Sequence, residues 1–370
     1  MTLAEPESVT RFRQFLQINT MHPNPEYRKC AEFLIAQGND IGMEASVVEC
    51  VEGKPIVILK LEGTEPSEKS ILLSCHTDVV PVFEEYWTHP PFAADRVQAE
   101  NGDFKIIARG AQDMKIGGKD GVQKLVETEE FKNLNAGFDV DEGLVSPITT
   151  SVVLYAERTT SQVVFTAHGN TGHGSQFIEG TAIEKLLPVI NEMMALREKE
   201  KARLLAIDEK ERIIRSGEIT SVNLTQIEGG KQPNVVPATY SVTFDIRVTP
   251  LVDLEEFRKY LRDLAEKNGV EFKLLHPDEE RTISKMDRAN VFIDKFFNVL
   301  ESRGINYAPM ICPGATDARY VRNKGIPAFG FNPMQKTTTL AHDHDEFVWE
   351  SEYIKGIEVY VDLIQNLANV

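Results

Sequence analysis

With 370 residues, 42% of them hydrophobic and 26% charged, the chain is long enough for a large core and for more than one domain. A formal net charge of −17 argues against nucleic acid or an anionic membrane as the main partner, since neither would meet a basic footprint. A small anionic substrate stays open, because one or two arginines in a cleft can hold a carboxylate against an unfavourable global field.

The opening Met-Thr-Leu-Ala-Glu-Pro-Glu-Ser has no basic stretch leading into an apolar one, and no later apolar run has spanning length, so a soluble, cytoplasmic protein is expected. Cys30, Cys50, Cys75 and Cys312 are scattered, forming neither a CxxC unit nor a disulfide framework, which agrees with a reducing compartment. Residues 8–20 have helical spacing, with Val9, Phe12, Phe15 and Leu16 on one face; residues 26–37 predict a second helix closed around Gly38. Val47–Val51 and Ile56–Leu61 read as strands separated by the Glu52-Gly53 turn. Ile71, Leu72 and Leu73 form the short apolar run of a buried strand, and His76 and Asp78 follow where that strand should end. The aromatic and Pro-rich stretch 81–92 reads either as an active-site wall or as loop aromatics sealing a small satellite core.

Ile107-Ala-Arg-Gly-Ala-Gln-Asp repeats the pattern of a strand, a Gly turn and a carboxylate at Asp113. Ala136-Gly-Phe-Asp-Val-Asp-Glu places Asp141 and Glu142 after another short strand, and Ala328-Phe-Gly-Phe is one more. Leu340-Ala-His-Asp-His-Asp-Glu carries His342, His344, Asp345 and Glu346 just before a helix. Four separated segments thus present His76, Asp113, Glu142 and His342 from strand ends, where α/β sheets gather ligands. Imidazole with carboxylate suits zinc, or a zinc pair bridged by one carboxylate.

Between these blocks the pattern changes. Ser161–Ala167 reads as a strand, Thr181–Arg197 as a helix, residues 198–216 as a charge-rich solvated helix, and Ile219–Ile227 and Thr239–Val248 as further strands. A helix at 253–267 and a strand at 270–275 complete a strand-helix-strand-strand-helix-strand order, the pattern of a small α+β domain. The expected fold class is α/β. A mostly parallel-sheet domain of residues 1–160 and 281–370 is interrupted by a ferredoxin-like α+β insertion at 161–280.

His76-Thr-Asp-Val-Val-Pro, Arg109-Gly-Ala-Gln-Asp113-Met-Lys, Gly172-His-Gly-Ser, Phe244-Asp-Ile-Arg and His342-Asp-His-Asp-Glu together closely resemble the zinc-dependent aminoacylases, which hydrolyse N-acyl-L-amino acids. The group also takes in acetylornithine deacetylase, succinyl-diaminopimelate desuccinylase and related carboxypeptidases and dipeptidases. The resemblance spans nearly the whole chain. It implies two zincs per subunit in the catalytic domain, and a lid domain that also forms a homodimer contact. His76 and Glu142 would complete opposite zincs, Asp113 would bridge them, His342 would be the last ligand, and Asp78 would support His76. His173 would reach the partner subunit's site and stabilise the oxyanion, Arg319 would clamp the substrate's α-carboxylate, and Asn234 and Arg247 would contribute from the lid.

One departure from that pattern matters. Family members follow Asp-Met-Lys with a helix and a buried strand that ends in a Glu pair, the general base and a zinc ligand. Here Lys115 runs directly into Ile116-Gly-Gly, so the chain reads as this family with a helix, a strand and the Glu pair excised after Lys115. Fewer than two zincs and little turnover are then expected; the alternative is a substitute base recruited from Glu157, Asp345 or Glu346. The alternatives are an inactive, dimerising relative, or a dipeptidase or other deacylase of the same chemistry. Loss of a strand from a parallel sheet should also leave its two neighbours too far apart to pair.

Overall fold

The computed structural model describes residues 4–112, 118–277 and 282–370. Asp113, and with it the junction through Gly117, lies outside the described residues. In chain order, α1 (Glu7–Leu16) and α2 (Tyr27–Asp40) turn Val9, Leu16, Cys30 and Ala31 inward. β1 (Glu44–Val51) and β2 (Lys54–Lys60) form an antiparallel hairpin around Gly53, whose φ of 78° is one that residues with a Cβ rarely adopt. β3 (Ser70–Ser74), β4 (Asp95–Gln98) and β5 (Phe104–Ile107) follow. Two short helices, α3 (Val122–Leu125) and α4 (Glu129–Asn133), lead into β6 (Ala136–Glu142) and β7 (Ser151–Glu157).

The middle of the chain contributes β8 (Thr159–His168), β9 (Gly172–His173), α5 (Ala182–Leu205) and α6 (Arg212–Arg215). Then come β10 (Ser221–Gly229), β11 (Val235–Val236), β12 (Thr239–Val248), α7 (Leu254–Lys267) and β13 (Glu271–Leu274). The last part supplies α8 (Val291–Ser302), β14 (Tyr307–Cys312), α9 (Ala318–Asn323), β15 (Ala328–Phe331), β16 (Phe347–Trp349) and α10 (Glu350–Leu367).

These elements fall into two compact units: Met1–Tyr155 with Ser284–Pro309 and Thr316–Val370, and Ala156–Ile283 with Met310–Ala315. The first is built on a five-stranded sheet of order β14-β7-β15-β6-β3. β3 and β15 both run parallel to β6, while β7 runs antiparallel to β15, so parallel pairing dominates among these neighbours of a mixed sheet. Side chains alternate along β6. Phe138 and Val140 face a core completed by Phe292 and Phe296 of α8 and Val359 and Leu363 of α10. Asp139 and Asp141 point to the other face. β3 pairs directly with β6, Leu72 beside Asp139 and Ser74 beside Asp141, and among the described residues has no strand on its other side.

The second unit contains a four-stranded sheet of order β10-β12-β8-β13, antiparallel throughout. With α5 after β8 and α7 after β12, this is the ferredoxin-like arrangement. Its core joins Val163 and Phe165 of β8, Phe244 and Ile246 of β12, Leu186 and Met193 of α5, and Leu261 of α7. Thr181 caps α5 through a reciprocal pair of bonds with Glu184. That helix runs on without a break to Leu205, and its charged end is not simply solvated: Glu200 is buried, accepting from the Thr220 backbone N–H at 3.0 Å and from Arg203 at 2.8 Å.

Phe138 is fully buried, with its ring centroid 5.4–6.1 Å from those of Phe292, Phe296 and Phe329. Phe138→Ala should therefore cost about 3–5 kcal/mol in a urea melt, the range for an aromatic removed from a packed core. A loss below about 1 kcal/mol would show that this core is loosely packed.

Candidate active site

β3, β6 and β15 end at the same edge of their sheet, because the parallel register sets Ser74 beside Asp141 and Phe331 beside Glu142. The residues that follow or close these strands therefore converge. His76 Nε2 lies 2.5 Å from Glu142 Oε1, with the imidazole almost buried and the carboxylate about a third exposed. On the other side of the ring, Nδ1 is 3.2 Å from the Asp78 carbonyl oxygen and 3.5 Å from its carboxylate. That contact selects the tautomer with hydrogen on Nδ1 and leaves Nε2 as the metal-binding nitrogen. Gly143, next to Glu142, has no room for a side chain, since a Cβ there would meet the β15 backbone at 2.5–2.6 Å.

Imidazole nitrogen and carboxylate oxygen are both zinc donors, so this pair fits the edge of a metal position. His76 and Glu142, which the resemblance would place at opposite zincs, are in direct contact here. Among the described residues no group of three or more His, Cys, Asp or Glu side chains could hold a metal ion. His342 is exposed, in a left-handed turn at φ 67°, and is not assembled with the pair into such a group. The described donors thus fall short of the three protein ligands of a catalytic zinc, and well short of a two-metal centre.

The loop carrying His342 is nevertheless firmly anchored. Glu346 is fully buried and accepts from Arg109 Nη1 at 2.7 Å and from the Gln112 backbone N–H at 2.5 Å. Gln112 in turn donates to the Thr338 and Phe347 carbonyls and accepts from the Leu340 N–H. Asp345 accepts from Thr88 twice, at 2.8 and 2.9 Å. Both acids hold loops together. Glu157 belongs to the second unit and is buried.

Arg319 sits in α9, buried, with its guanidinium donating to the Tyr320 hydroxyl at 2.8 Å and lying over that ring at 4.5 Å. In the second unit, β9 pairs with β11, so His173 lies opposite Val235 and next to Asn234, whose carbonyl accepts from the Gly174 N–H at 2.8 Å. His173 is exposed and its Nδ1 contacts Ser175 Oγ at 2.8 Å. Arg247 is held by Asp245 at 2.8 Å and by Thr160 at 3.0 Å. In the aromatic stretch 81–92, Phe83 and Tyr86 are exposed and Trp87 lies under Arg109 at 5.1 Å.

Sequence reasoning passed over the support beneath Glu142. Ser74 Oγ donates to Asp139 at 2.8 Å and contacts Asp141 at 3.2 Å, and Asp141 accepts from the Ala318 N–H at 2.9 Å, at the start of α9. The signal was available: Asp139 and Asp141 are two apart in a strand and must share a face.

Residues 72–366 match the peptidase family M20/M25/M40. Aminoacylase-1 of Sus scrofa is 40% identical over 401 aligned positions covering 99% of this chain and 96% of that protein. Aminoacylase-1 of Dictyostelium discoideum is 37% identical over 411, covering 100% and 99%. Both alignments are longer than the 370 residues of the chain, so both relatives carry segments with no counterpart here. In fold, the chain is similar to the M20 family metallo-carboxypeptidase Sso-CP2 of Sulfolobus solfataricus, at TM-score 0.72 and 16% identity over 99% and 100% of the two chains. The aminopeptidase PepT of Bacillus cereus gives 0.68 and 16% over 98% of each.

Burial pushes the Asp139 carboxyl up to about 7, against the lowering effect of the Ser74 bond and the Arg322 charge. An unfolded Asp titrates near ~3.9. Between those values the native state holds a proton that the unfolded chain has lost, so stability falls as pH rises from ~4 to ~7 and levels off above. In Asp139→Asn that decline should be visibly shallower in urea midpoints measured across this range. An unchanged slope would assign it to other groups.

Proposed function

Because this chain belongs to peptidase family M20/M25/M40, which it matches from residue 72 to 366, we propose that its site takes N-acyl-L-amino acids, as a metal-dependent aminoacylase does, through a metal centre that its own residues complete only in part. Identity of 40% to a named aminoacylase across nearly the whole chain supports the substrate class. The 2.5 Å contact of His76 with Glu142, at the common edge of three parallel strands, is the observation that supports the place of the metal. Zinc bound there would polarise an amide carbonyl and acidify a water.

The chain's own groups do the rest. Asp78 orients His76. Arg319, kept planar against Tyr320, is the group for the substrate's α-carboxylate, and its fork geometry suits two parallel bonds. His173 and Asn234, neighbours in the second unit, are proposed to meet the reacting carbonyl in a homodimer formed through that unit, with Arg247 braced by Asp245 and Thr160 behind them. No helix among the described residues is long and apolar enough to cross a membrane. A reducing, cytoplasmic setting is proposed from the scattered thiols, all four of them free.

A site with only two donors assembled among the described residues is a weakened one. Protein dialysed against excess zinc should hold fewer than two zincs per chain, and Glu142→Ala should lower the content further. With N-acetyl-L-methionine, kcat/KM should fall below that of the pig aminoacylase-1 by about 10²–10⁴, the usual contribution of a positioned acid–base group. Two tightly held zincs with comparable kcat/KM would overturn the proposal that the centre is incomplete. Tight zinc without any binding of N-acetyl-L-methionine would overturn the substrate class.

A further inference from the structure

β3 is the last strand of the five-stranded sheet, and β2 is one edge of its two-stranded hairpin. Among the described residues neither has a strand on its outer side. Yet the two edges line one cavity of about 690 Å³, Pro55–Leu59 from β2 and Leu72–Ser74 from β3. This volume is within the usual range for a ligand site.

The cavity is layered like the interior of an α/β sheet. On one side α2 supplies Cys30, Ala31 and Leu34, and packs so closely on the hairpin that a Cβ on Gly38 would meet Leu59 at 2.6 Å. On the other side lies a buried cluster that includes Leu125, Phe131 and Val321, against which Ile56 and Ile58 of β2 and Leu72 of β3 pack. The space between is real: Leu73 is 43% exposed, and Cys75 opens onto it.

An aliphatic ligand would satisfy the apolar layers and leave both strand edges with backbone N–H and C=O groups facing hydrocarbon, which is costly. An extended peptide satisfies both at once, with main-chain bonds to the edges and side chains to the layers. Charge in the lining points the same way. It holds three carboxylates, Asp78, Asp120 and Asp317, against two lysines, Lys54 and Lys119, so a cationic residue in the segment is favoured. Lys54 is itself bonded to Asp120 at 2.5 Å.

We infer that this cavity is a strand-acceptor site, which takes an extended, mainly β-branched peptide segment from another polypeptide and links the β1–β2 hairpin to the central sheet. The site lies beside the metal position, shares His76 in its lining, and does not depend on catalysis.

The probe is a fluorescein-labelled Lys-Val-Ile-Val-Thr-Val peptide, titrated into the full chain and followed by anisotropy and by hydrogen exchange. Saturable binding is expected, with slower exchange at residues 55–59 and 71–74. The same peptide N-methylated at alternate residues keeps its apolar surface but loses its donors, and should bind at least tenfold more weakly. Leu34→Trp, which fills the cavity, should abolish binding while the exchange of the β8–β12 sheet stays unchanged. Should that variant fail to fold, the N-methylated peptide still decides. Equal binding of the two peptides, displacement by dodecanoate at similar concentration, or slowed exchange confined to regions outside β2 and β3 would each overturn the inference.

Discussion

The pairing of β3 with β6 is the constraint on which the rest of the first unit depends. It is a parallel pairing of only five residues in β3, with an irregularity between Ser70 and Ile71, and it fixes the height of Ser74 against Asp141. From that register His76 reaches Glu142, because both leave the sheet at the same edge. A one-residue slip would turn Glu142 to the opposite face and bury Asp139 and Asp141 among phenylalanines. The acidic face of β6 thus guards the register: Asp139 finds Ser74 and the Arg322 charge, Asp141 finds the start of α9, and neither would find a partner in the core beneath Phe138.

The same pairing decides where space is left. With β3 committed to β6 on one side, its other edge faces the β1–β2 hairpin across a cavity rather than across a ladder of hydrogen bonds. The hairpin is held by packing on α2 and on the cluster around Leu125 and Phe131 instead. Packing of this kind tolerates a gap in a way that a register-locked ladder does not, since apolar contact is non-directional. The His76–Glu142 contact and an open strand position therefore lie side by side at the end of β3.

Elsewhere the fold spends charge on position. The fully buried Arg109–Glu346 pair is accompanied by a bond to the Gln112 N–H, so the carboxylate is compensated by more than one donor. Breaking such a pair costs far more than forming it gains. Its effect is to tie the segment 109–112 to the loop that carries His342. In the second unit Glu200 does a similar task, joining α5 to the chain entering β10.

Much of this was legible in the residues themselves. Apolar period and turn glycines marked α1, α2, the β1–β2 hairpin and the strand-helix-strand-strand-helix-strand order of the second unit, because those signals are local and each element buries its own stripe. The motifs around His76, Asp113, His173, Phe244 and His342 identified the family, which the aminoacylase relatives agree with across the whole chain. Which strand lies beside which is not local. Parallel strands are joined by crossovers, so their partners and register emerge only when both faces are covered by particular helices. Hence the direct union of β3 with β6, the contact of His76 with Glu142, and the use of Asp345 and Glu346 as anchors became visible only in three dimensions. A carboxylate in a sequence carries no mark of whether it will meet a metal, a guanidinium or a backbone N–H. Distance and burial make that choice, and both are properties of the folded chain.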